Sequence, residues 1–407
     1  MSTLASVTSI GALAALSSPL RFSTLLDGSG PRRRLADRVD PSLGTLPRDA
    51  VIRARAPLRL NLGGAGTDLL PYAEEHGGLV LSATIKRYAH ATLRLNEEGS
   101  VQVRSLDDDA VLSLGLDDPL IYDGRFDLVK ACLRRLRVGA EGRHGLEMYL
   151  QTDAPPGSGL GASSAVVVAT IGALATWRRL RLTDYEIAAL AYELERTDVG
   201  IPGGMQDHYA TAFGGFNLTE FDGRRDVVVT PLRVEVAMAS ELEYNSLLVF
   251  TGASRLSSRI IESQVSGTRQ GDPQVLAAFE EMKALALAAK KALLRGQVME
   301  LGRVLHEQWV AKKRTSPGVA TARADALYDA ARQAGAIGGL FTGAGGGGFM
   351  LLVCPFERRP SVSGTLRRLG CHVSNVEFEP AGLQSWVVPA TSPVPEAAGG
   401  IPQRGRD

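Results

Sequence analysis

The chain has 407 residues, of which 44% are hydrophobic and 22% charged, and its 45 basic and 44 acidic side chains leave a net charge of +1. This length predicts two domains, the composition is typical of a globular protein, and the balanced charge argues against nucleic acid as a partner. Three widely spaced cysteines indicate a reducing compartment, so we expect a cytoplasmic protein, and no apolar run approaches the roughly 20 residues that a membrane span needs.

Residues 1–48 are unlike the rest of the chain. They begin with a mildly apolar stretch that no basic residue precedes, which is a poor match to a secretory signal. An arginine cluster follows and resembles a transit peptide only faintly. We therefore expect a loosely ordered extension.

From Val51 onward the sequence alternates between strand patterns, glycine-rich breaks and helical patterns. Period-two alternation predicts strands, and amphipathic spacing predicts helices, one of which starts at a Thr or Asp cap. The predicted strands are 51–62, 79–95, 101–106, 146–153, 226–234, 243–252, 349–355 and 372–382. The predicted helices are 126–136, 162–177, 183–198, 255–264, 273–296, 297–313, 325–335 and 362–370. The tail after Pro389 is rich in Pro, Gly and Ser, which is typical of disorder.

The stretch PPGSGLGASSAVVVATIGALATW, residues 155–177, is a glycine-rich loop that leads into an apolar helix. The free N–H groups and positive dipole at such a helix start favour an anion. Ser163 and Ser164 add hydroxyls for a phosphate oxygen or a metal. From this stretch alone, an anion site and a tight turn before a core helix are equally supported.

Two more glycine-rich breaks, at 63–66 and 343–348, lie beside predicted strands, and carboxylates occur between the three breaks at Asp68, Glu195 and Asp207. Phosphoryl transfer needs a backbone cradle for phosphates, oxygen ligands for Mg²⁺ and a carboxylate that orients the attacking hydroxyl. The Walker signature and the protein-kinase motifs are absent, and the GSGLG spacing does not match the Rossmann pattern. The six histidines also form no metal-binding pair such as HExxH.

The segments APLRLNLGGAGTD, PPGSGLGASSA and TGAGGGGFMLL resemble the three ordered motifs of the GHMP kinase superfamily. Within it, GGMQDHYATAFGGFN and FTGASRLSSRIIESQ are most similar to the heptose 7-phosphate kinases. The resemblance covers roughly residues 50–390 and implies an α+β fold of two domains. The N-terminal domain is expected to be like ribosomal protein S5 domain 2, and the C-terminal domain to be ferredoxin-like.

We expect four segments along the chain, of which the two domains are implied by the resemblance. These are an N-terminal extension at 1–48, an ATP-binding domain at 49–235, a C-terminal domain at 236–390 and a disordered tail at 391–407.

The resemblance also implies ATP and Mg²⁺ as cofactors. Ser163 and Glu195 match the metal-binding positions, although Glu195 taken alone is only one helical carboxylate among many. The ATP phosphates would lie on the loop formed by Pro156, Gly157, Ser158, Gly159, Leu160, Gly161, Ala162, Ser163 and Ser164.

Asp207 matches the proposed catalytic base, and Arg59 matches the cation that neighbours it. Asp68 matches a position that binds sugar hydroxyls, and Gly66 and Thr67 belong to the same substrate-binding segment.

A phosphorylated sugar needs a second anion site. Arg255 and Lys312 are the preferred pair, and the other candidates are Lys86, Arg87, Lys313 and Arg314. Two positions depart from the family pattern: Ala162 replaces a serine of the phosphate loop, and Leu340 replaces a lysine before the third glycine-rich segment.

The implied reaction is ATP-dependent phosphorylation of the anomeric hydroxyl of a heptose 7-phosphate, in the biosynthesis of a nucleotide-activated heptose. The alternatives are a kinase for an unphosphorylated sugar of the galactose, fucose or uronic acid type, and a non-catalytic sugar sensor with the same fold. We expect small-molecule partners only, no nucleic acid or membrane, and a monomer or homodimer. The heptose stereochemistry stays open.

Overall fold

A computed structural model describes residues 46, 49–136, 145–155, 157–223, 226–252 and 258–388. The predicted tail at 391–407 and, apart from Leu46, the predicted extension at 1–48 lie outside these ranges. Within them, every helix is too short or too polar to cross a membrane. Cys132, Cys354 and Cys371 are all buried and form no disulfide.

The described part of the chain contains strands in two sheets. In chain order they are β1 (Val51–Gly63), β2 (Gly78–Asn96), β3 (Ser100–Ser105), β4 (Val111–Gly115), β5 (Gly145–Thr152), β6 (Phe216–Asp222), β7 (Asp226–Pro231), β8 (Ser246–Phe250), β9 (Gly338–Phe341), β10 (Phe349–Val353), β11 (His372–Ser374) and β12 (Gln384–Val388).

The helices lie between and after these strands. They are α1 (Tyr72–His76), α2 (Asp127–Arg135), α3 (Ala162–Trp177), α4 (Asp184–Tyr192), α5 (Gln206–Phe213), α6 (Val236–Tyr244), α7 (Ser258–Arg269), α8 (Pro273–Leu294), α9 (Val298–Lys313), α10 (Ala322–Gln333) and α11 (Arg359–Arg368). A π-helical turn, Glu193–Asp198, continues α4, and a 3₁₀ turn, Phe356–Arg358, precedes α11.

The first sheet has the strand order β12-β1-β2-β5-β3-β4, with β6 on the other part of β2 and β7 beside β6. The second sheet has the order β11-β8-β10-β9 and is antiparallel throughout. Helix α3 packs on β1 and β2 in the first sheet, whereas α9 packs on β9 and β10 in the second. This mixture of sheets and helices confirms the predicted α+β class.

Helix α3 is buried on nearly all sides, as its uniformly apolar sequence predicts. Gly172 lets Leu383 approach closely, because a Cβ at this position would lie 2.7 Å from a Leu383 methyl carbon. The helix begins at the predicted residue, Ala162, directly after Gly161 with φ +76°. The glycine-rich loop and the start of α3 are therefore fixed by the core behind them.

Several elements differ from the predicted ones. The predicted strand 372–382 ends at Ser374, because later backbone groups bond to β2 instead, with Lys86 N donating to Glu377 O at 2.8 Å and Glu379 N to Thr84 O at 2.9 Å. The strands β4, β6, β9 and β12 and the helices α1, α5 and α6 were not predicted. In α6 only Leu242 is buried, so its sequence carries little periodic signal.

The predicted helix 183–198 is α-helical only to Tyr192 and then widens into the π-helical turn. Its start is the predicted one, with Thr183 and Glu186 forming a reciprocal capping box. The predicted helix 255–264 is described from Ser258 and extends to Arg269. Residues 255–257 lie outside the described ranges.

Candidate active site

A pocket of about 590 Å³ lies between the two halves of the chain. From the first half, the loop after β1, the 157–163 loop and the segment leading into α5 line it. From the second half, α7, the end of α9 and the loop after β9 complete it. Ligand sites commonly occur between domains in this way.

The glycine-rich loop before α3 forms one wall of this pocket. Gly157, Gly159 and Gly161 have φ values of +70°, +84° and +76°, which side chains rarely adopt. The N–H groups at the start of α3 have no helical partners, and the helix dipole is positive there. The hydroxyl of Ser158 is buried and has no hydrogen-bond partner among the described residues. These features suit a bound phosphate chain.

The remaining residues of the predicted phosphate loop have different surroundings. Leu160 is fully buried, and its carbonyl accepts a hydrogen bond from Arg59 N at 3.0 Å. Ala162 is the first residue of α3 and lines the pocket. Pro156 lies outside the described residues. Only the backbone of Leu160 therefore remains for a ligand, since its side chain belongs to the core.

The third glycine-rich segment packs directly on this loop. Phe349 N donates to Ser158 O at 2.9 Å. A Cβ on Gly159 would lie 2.5 Å from Thr342 O, and one on Gly343 would lie 2.6 Å from the Gly159 Cα. The two segments thus approach each other closely because both carry glycine.

A cluster of oxygen atoms lies behind the loop. Ser163 Oγ donates to Glu195 Oε1 at 2.8 Å, and Ser164 Oγ donates to Glu195 Oε2 at 2.7 Å. Ser163 is exposed and lines the pocket, whereas Ser164 is fully buried. The structure therefore brings together the two predicted metal-binding residues, and it turns Ser164 away from the pocket.

Glu195 is not the exposed helical carboxylate that its sequence position alone suggests, because it is 0% exposed. Burial raises the pKa of Glu195, but the charge of Arg196 and a hydrogen bond from His208 outweigh it, so the pKa lies well below its ordinary value. Arg196 Nη1 lies 3.2 Å from Glu195 Oε1, and His208 Nε2 lies 2.7 Å from Oε2. Arg196 and His208 are not among the predicted site residues, although each adjoins one of them.

Asp207 and Arg59 are in direct contact, with Arg59 Nε 2.8 Å from Asp207 Oδ1. The same guanidinium donates through Nη1 to the carbonyl of Gly159. Burial raises the pKa of Asp207, but the charge and hydrogen bond of Arg59 lower it by a larger amount. The carboxyl therefore has a pKa below its ordinary value. The pair thus places an ionised carboxylate and a cation beside the glycine-rich loop.

Asp68 lies in the same pocket and is 1% exposed. It accepts hydrogen bonds from Gln206 N at 2.9 Å, Gln206 Nε2 at 2.9 Å and Gly66 N at 3.1 Å. Burial raises the pKa of Asp68, and the nearby charge of Asp207 adds to this effect. Gly204 has no room for a side chain, because a Cβ there would lie 1.9 Å from Asp68 Oδ2.

The structure does not support Thr67 as a substrate-binding side chain. Thr67 is 0% exposed, and its hydroxyl donates to Gly64 O at 2.8 Å and accepts from Leu79 N at 3.0 Å. These bonds attach the loop to β2 and leave the hydroxyl no route to a ligand. Gly66, in contrast, lines the pocket.

Lys312 lies at the end of α9 and is 3% exposed, unlike the solvated lysine that is usual at a helix end. Its Nζ donates to the carbonyls of Phe341 and Gly343. Burial lowers the pKa of Lys312 to about 7, and the charge of Arg59 contributes to this shift. Lys312 is therefore a pocket residue whose charge changes near neutral pH.

The other basic candidates for a second anion site lie elsewhere. Lys86 and Arg87 line a separate crevice of about 360 Å³. Lys313 and Arg314 each pair with a neighbouring carboxylate and do not line the pocket. Arg255 lies outside the described residues. Among the described candidates, Lys312 alone reaches the pocket.

Leu340 is 3% exposed within β9, where it pairs with Leu351 of β10. At this position the side chain belongs to the core of the second sheet and is not among those that line the pocket.

A glycine-rich loop, a serine–carboxylate cluster and an Arg–Asp pair lie in one pocket, an arrangement that suits phosphoryl transfer. The family models for the N-terminal and C-terminal domains of GHMP kinases match residues 127–215 and 289–370. The chain is 38% identical over 336 residues to D-glycero-alpha-D-manno-heptose 7-phosphate kinase of Campylobacter jejuni, with 82% of this chain and 98% of that protein covered.

Two solved structures are also similar. One is a D-glycero-D-manno-heptose 1-phosphate kinase from Bacteriodes thetaiotaomicron, with a TM-score of 0.70, 35% identity and coverage of 82% of this chain and 98% of that one. The other is a putative sugar kinase from Campylobacter jejuni, with a TM-score of 0.68, 36% identity and coverage of 83% and 98%. The chain belongs to the GHMP kinases. It is a sugar kinase, and the phosphate donor in this family is ATP.

Proposed function

We propose that the chain transfers the γ-phosphoryl group of ATP to the anomeric hydroxyl of a heptose 7-phosphate, giving the 1,7-bisphosphate for the biosynthesis of a nucleotide-activated heptose. The similar proteins support a heptose phosphate kinase, but their names place the substrate phosphate at different carbons. The observation that carries the proposal is the Arg59–Asp207 pair at 2.8 Å in a pocket that also contains buried Lys312.

Asp207 is the proposed catalytic residue that orients the sugar hydroxyl and accepts its proton. A carboxylate with a low pKa is a weak base, so its main contribution is orientation, with the proton passing as the new P–O bond forms. Arg59 keeps this carboxylate ionised. It also adds a positive charge beside Gly159, where negative charge on the transferred group needs stabilisation.

The loop residues from Gly157 to Ser163 are proposed to hold the ATP phosphates through backbone N–H groups and the Ser158 and Ser163 hydroxyls. The loop glycines line the pocket, and the start of α3 supplies its dipole. The predicted division into domains at 49–235 and 236–390 fits this arrangement, since the family models match within these ranges.

Ser163 and Glu195 are the proposed Mg²⁺ ligands. Both offer hard oxygen atoms that are 2.8 Å apart, and Glu195 is ionised. Among the described residues, no three His, Cys, Asp or Glu side chains form a metal site, which agrees with the usual binding of Mg²⁺ by one or two protein oxygens plus phosphates. When bound, Mg²⁺ neutralises charge on the phosphates.

Asp68 and Lys312 are proposed to select the sugar. Asp68 is oriented by three hydrogen bonds and can accept sugar hydroxyls, and Gly66 lines the pocket beside it. The Lys312 ammonium is proposed to bind the phosphate that the sugar already carries. The cytoplasmic location and the choice between monomer and homodimer stay predictions.

A panel of acceptors measured by ADP release tests this proposal. We expect turnover with a heptose 7-phosphate at a kcat/KM at least 100-fold above that with free heptose, galactose, fucose or a uronic acid. A higher kcat/KM with heptose 1-phosphate would overturn the assignment of the phosphate position. A preference for a free sugar would instead support the unphosphorylated-sugar alternative.

The Asp207→Asn variant tests the catalytic role proposed for Asp207. We expect kcat to fall by about 100-fold to 10,000-fold, the usual range for loss of an acid–base group, while ATP affinity is retained. Asp325→Asn, on the surface of α10, is the matched control and is expected to keep full activity. A folded wild-type protein that phosphorylates none of the acceptors would favour the sensor.

A further inference from the structure

The two oxygen atoms of the Glu195 carboxylate have different surroundings. Oε2 accepts from Ser164 Oγ at 2.7 Å and from His208 Nε2 at 2.7 Å, and both of these side chains are 0% exposed. Oε1 faces Ser163 and Arg196, both of which line the pocket. One oxygen is therefore held in the interior and the other is directed to the pocket.

We propose that His208 is a positioning residue that fixes the Glu195 carboxylate so that Oε1 is the oxygen offered to Mg²⁺. This inference rests on the proposed magnesium site. A carboxylate can rotate about its terminal bond, and two buried donors on Oε2 oppose that rotation. Groups that orient metal ligands in this way typically contribute 10-fold to 100-fold in metal affinity.

Glu195 lies where the helix geometry changes. It belongs to the π-helical turn Glu193–Asp198, whose wider turn places residues differently from an α-helix. His208 belongs to α5, one residue after Asp207, so the same helix carries the proposed catalytic carboxylate and the donor to Glu195. A single element thereby sets the relative positions of the two carboxylates.

The His208 ring is itself held in place. The Tyr192 ring packs edge-on against it with the centroids 5.7 Å apart. The His208 Nδ1 lies 3.4 Å from Met205 O, a contact that is a hydrogen bond only when both ring nitrogens carry hydrogen. Because a carboxylate only accepts hydrogen bonds, Nε2 carries the hydrogen in the contact with Oε2. A glutamine side chain can present an N–H donor at a similar distance from the backbone, whereas asparagine is one methylene shorter.

The test compares His208→Gln, His208→Asn and His208→Leu by the metal dependence of nucleotide binding. For each variant, the Kd of a non-hydrolysable ATP analogue is measured with EDTA and with Mn²⁺. The Kd in EDTA divided by the Kd with Mn²⁺ gives the contribution of the metal. We expect this ratio to fall about 10-fold or more in His208→Asn and His208→Leu and to stay within about threefold of wild type in His208→Gln. The Kd in EDTA should stay unchanged, because the glycine-rich loop is not altered.

The controls separate the possible failures. Glu195→Gln should abolish the gain from Mn²⁺, and His306→Leu, which removes a histidine bonded to Tyr328 in the other half of the chain, should not alter it. If Glu195→Gln keeps the full gain, the proposed metal site itself is wrong. If Glu195→Gln loses the gain but His208→Asn keeps it, only the role of His208 is wrong. If His208→Leu does not fold, the comparison of the Asn and Gln variants decides.

Discussion

Burial makes the charge of Lys312 sensitive to pH near neutrality. Its ammonium group is almost fully buried and donates to the carbonyls of Phe341 and Gly343, while the charge of Arg59 opposes protonation. With a pKa of about 7, the amine is charged below neutral pH and neutral above it. Recognition of an anion by this residue should therefore weaken as the pH rises.

We predict that the KM for the phosphorylated sugar rises between pH 6 and pH 9, because the free enzyme loses the positive charge of Lys312 through a pKa of about 7. In Lys312→Arg the guanidinium stays charged, so this rise should be absent or much smaller. Steady-state kinetics at each pH, with phosphorylated and free sugar side by side, measure the effect.

Two results would contradict this role for Lys312. One is that the KM of Lys312→Met rises with pH as much as the KM of the wild type, although methionine carries no charge at any pH. The other is a change in kcat, with KM constant, for phosphorylated and free sugars alike. The latter would place the ammonium at the transferred group, near Arg59 and Asp207.

At the residue scale, motif matching reached some contacts and not others. It selected Arg59 with Asp207 and Ser163 with Glu195, and each pair is in contact, although their catalytic and metal-binding roles stay predictions. It missed Gln206, Arg196 and His208, because no local pattern reveals that a π-helical turn and the start of α5 meet. It also assigned Thr67 to the substrate, since the sequence does not show that this hydroxyl bonds to β2.

At the scale of elements, the contact between two glycine-rich loops determines the shape of the phosphate site. Gly159 has φ +84°, and a methyl group on its Cα would lie 2.5 Å from Thr342 O, which leaves no space for it. A side chain here would push the two loops apart and displace the backbone donors at the start of α3. Strain from a positive φ costs about 1 kcal/mol or somewhat more, and the clash adds to it.

We predict that Gly159→Ala raises the Kd for ATP at least 10-fold and lowers the Tm, which calorimetry and nucleotide titration measure. Gly370→Ala is the matched control, because Gly370 has φ +83° and nothing lies within 4 Å of a Cβ there. It carries the same backbone strain without the clash, so nucleotide affinity should be normal. Equal losses of nucleotide affinity in both variants would show that strain, and not the contact between loops, matters.

Element prediction succeeded where one physical signal dominated. The start of α3 was predicted from a glycine-rich loop followed by a continuous apolar run, and the start of α4 from a Thr or Asp cap, which is Thr183. It failed for α6, which buries little, and for β12, a short strand whose Trp386 is 40% exposed. Such a strand exists because β1 offers an edge for it, and a distant partner leaves no mark on local sequence.

At the scale of the whole molecule, β12 returns the chain to the first sheet, beside β1. It covers the edge of β1, where Arg55 Nε donates to Gln384 Oε1 at 2.8 Å, and Thr176 of α3 bonds to Ser385 at 2.7 Å. The predicted C-terminal domain, 236–390, therefore contributes a strand to the sheet of the predicted N-terminal domain. The pocket likewise draws on both halves of the chain.

We predict that a chain ending at residue 383 is less stable than one ending at residue 390 by about 3 kcal/mol, since several ladder hydrogen bonds at about 1 kcal/mol each are lost. Urea unfolding of the two chains measures the difference. The shorter chain should also associate more readily, because the edge of β1 becomes available. Equal midpoints and equal m-values would mean that β12 adds nothing to the fold.

The register of β12 has a topological consequence. Val388 pairs with Val51 in an antiparallel ladder. The first residue of β1 and the last residue of β12 therefore lie side by side at one end of these neighbouring strands. A two-residue turn could join them into a hairpin. A circularly permuted chain, with residues 388 and 51 joined by this turn and new ends in a surface loop far from the pocket, should therefore keep the described fold.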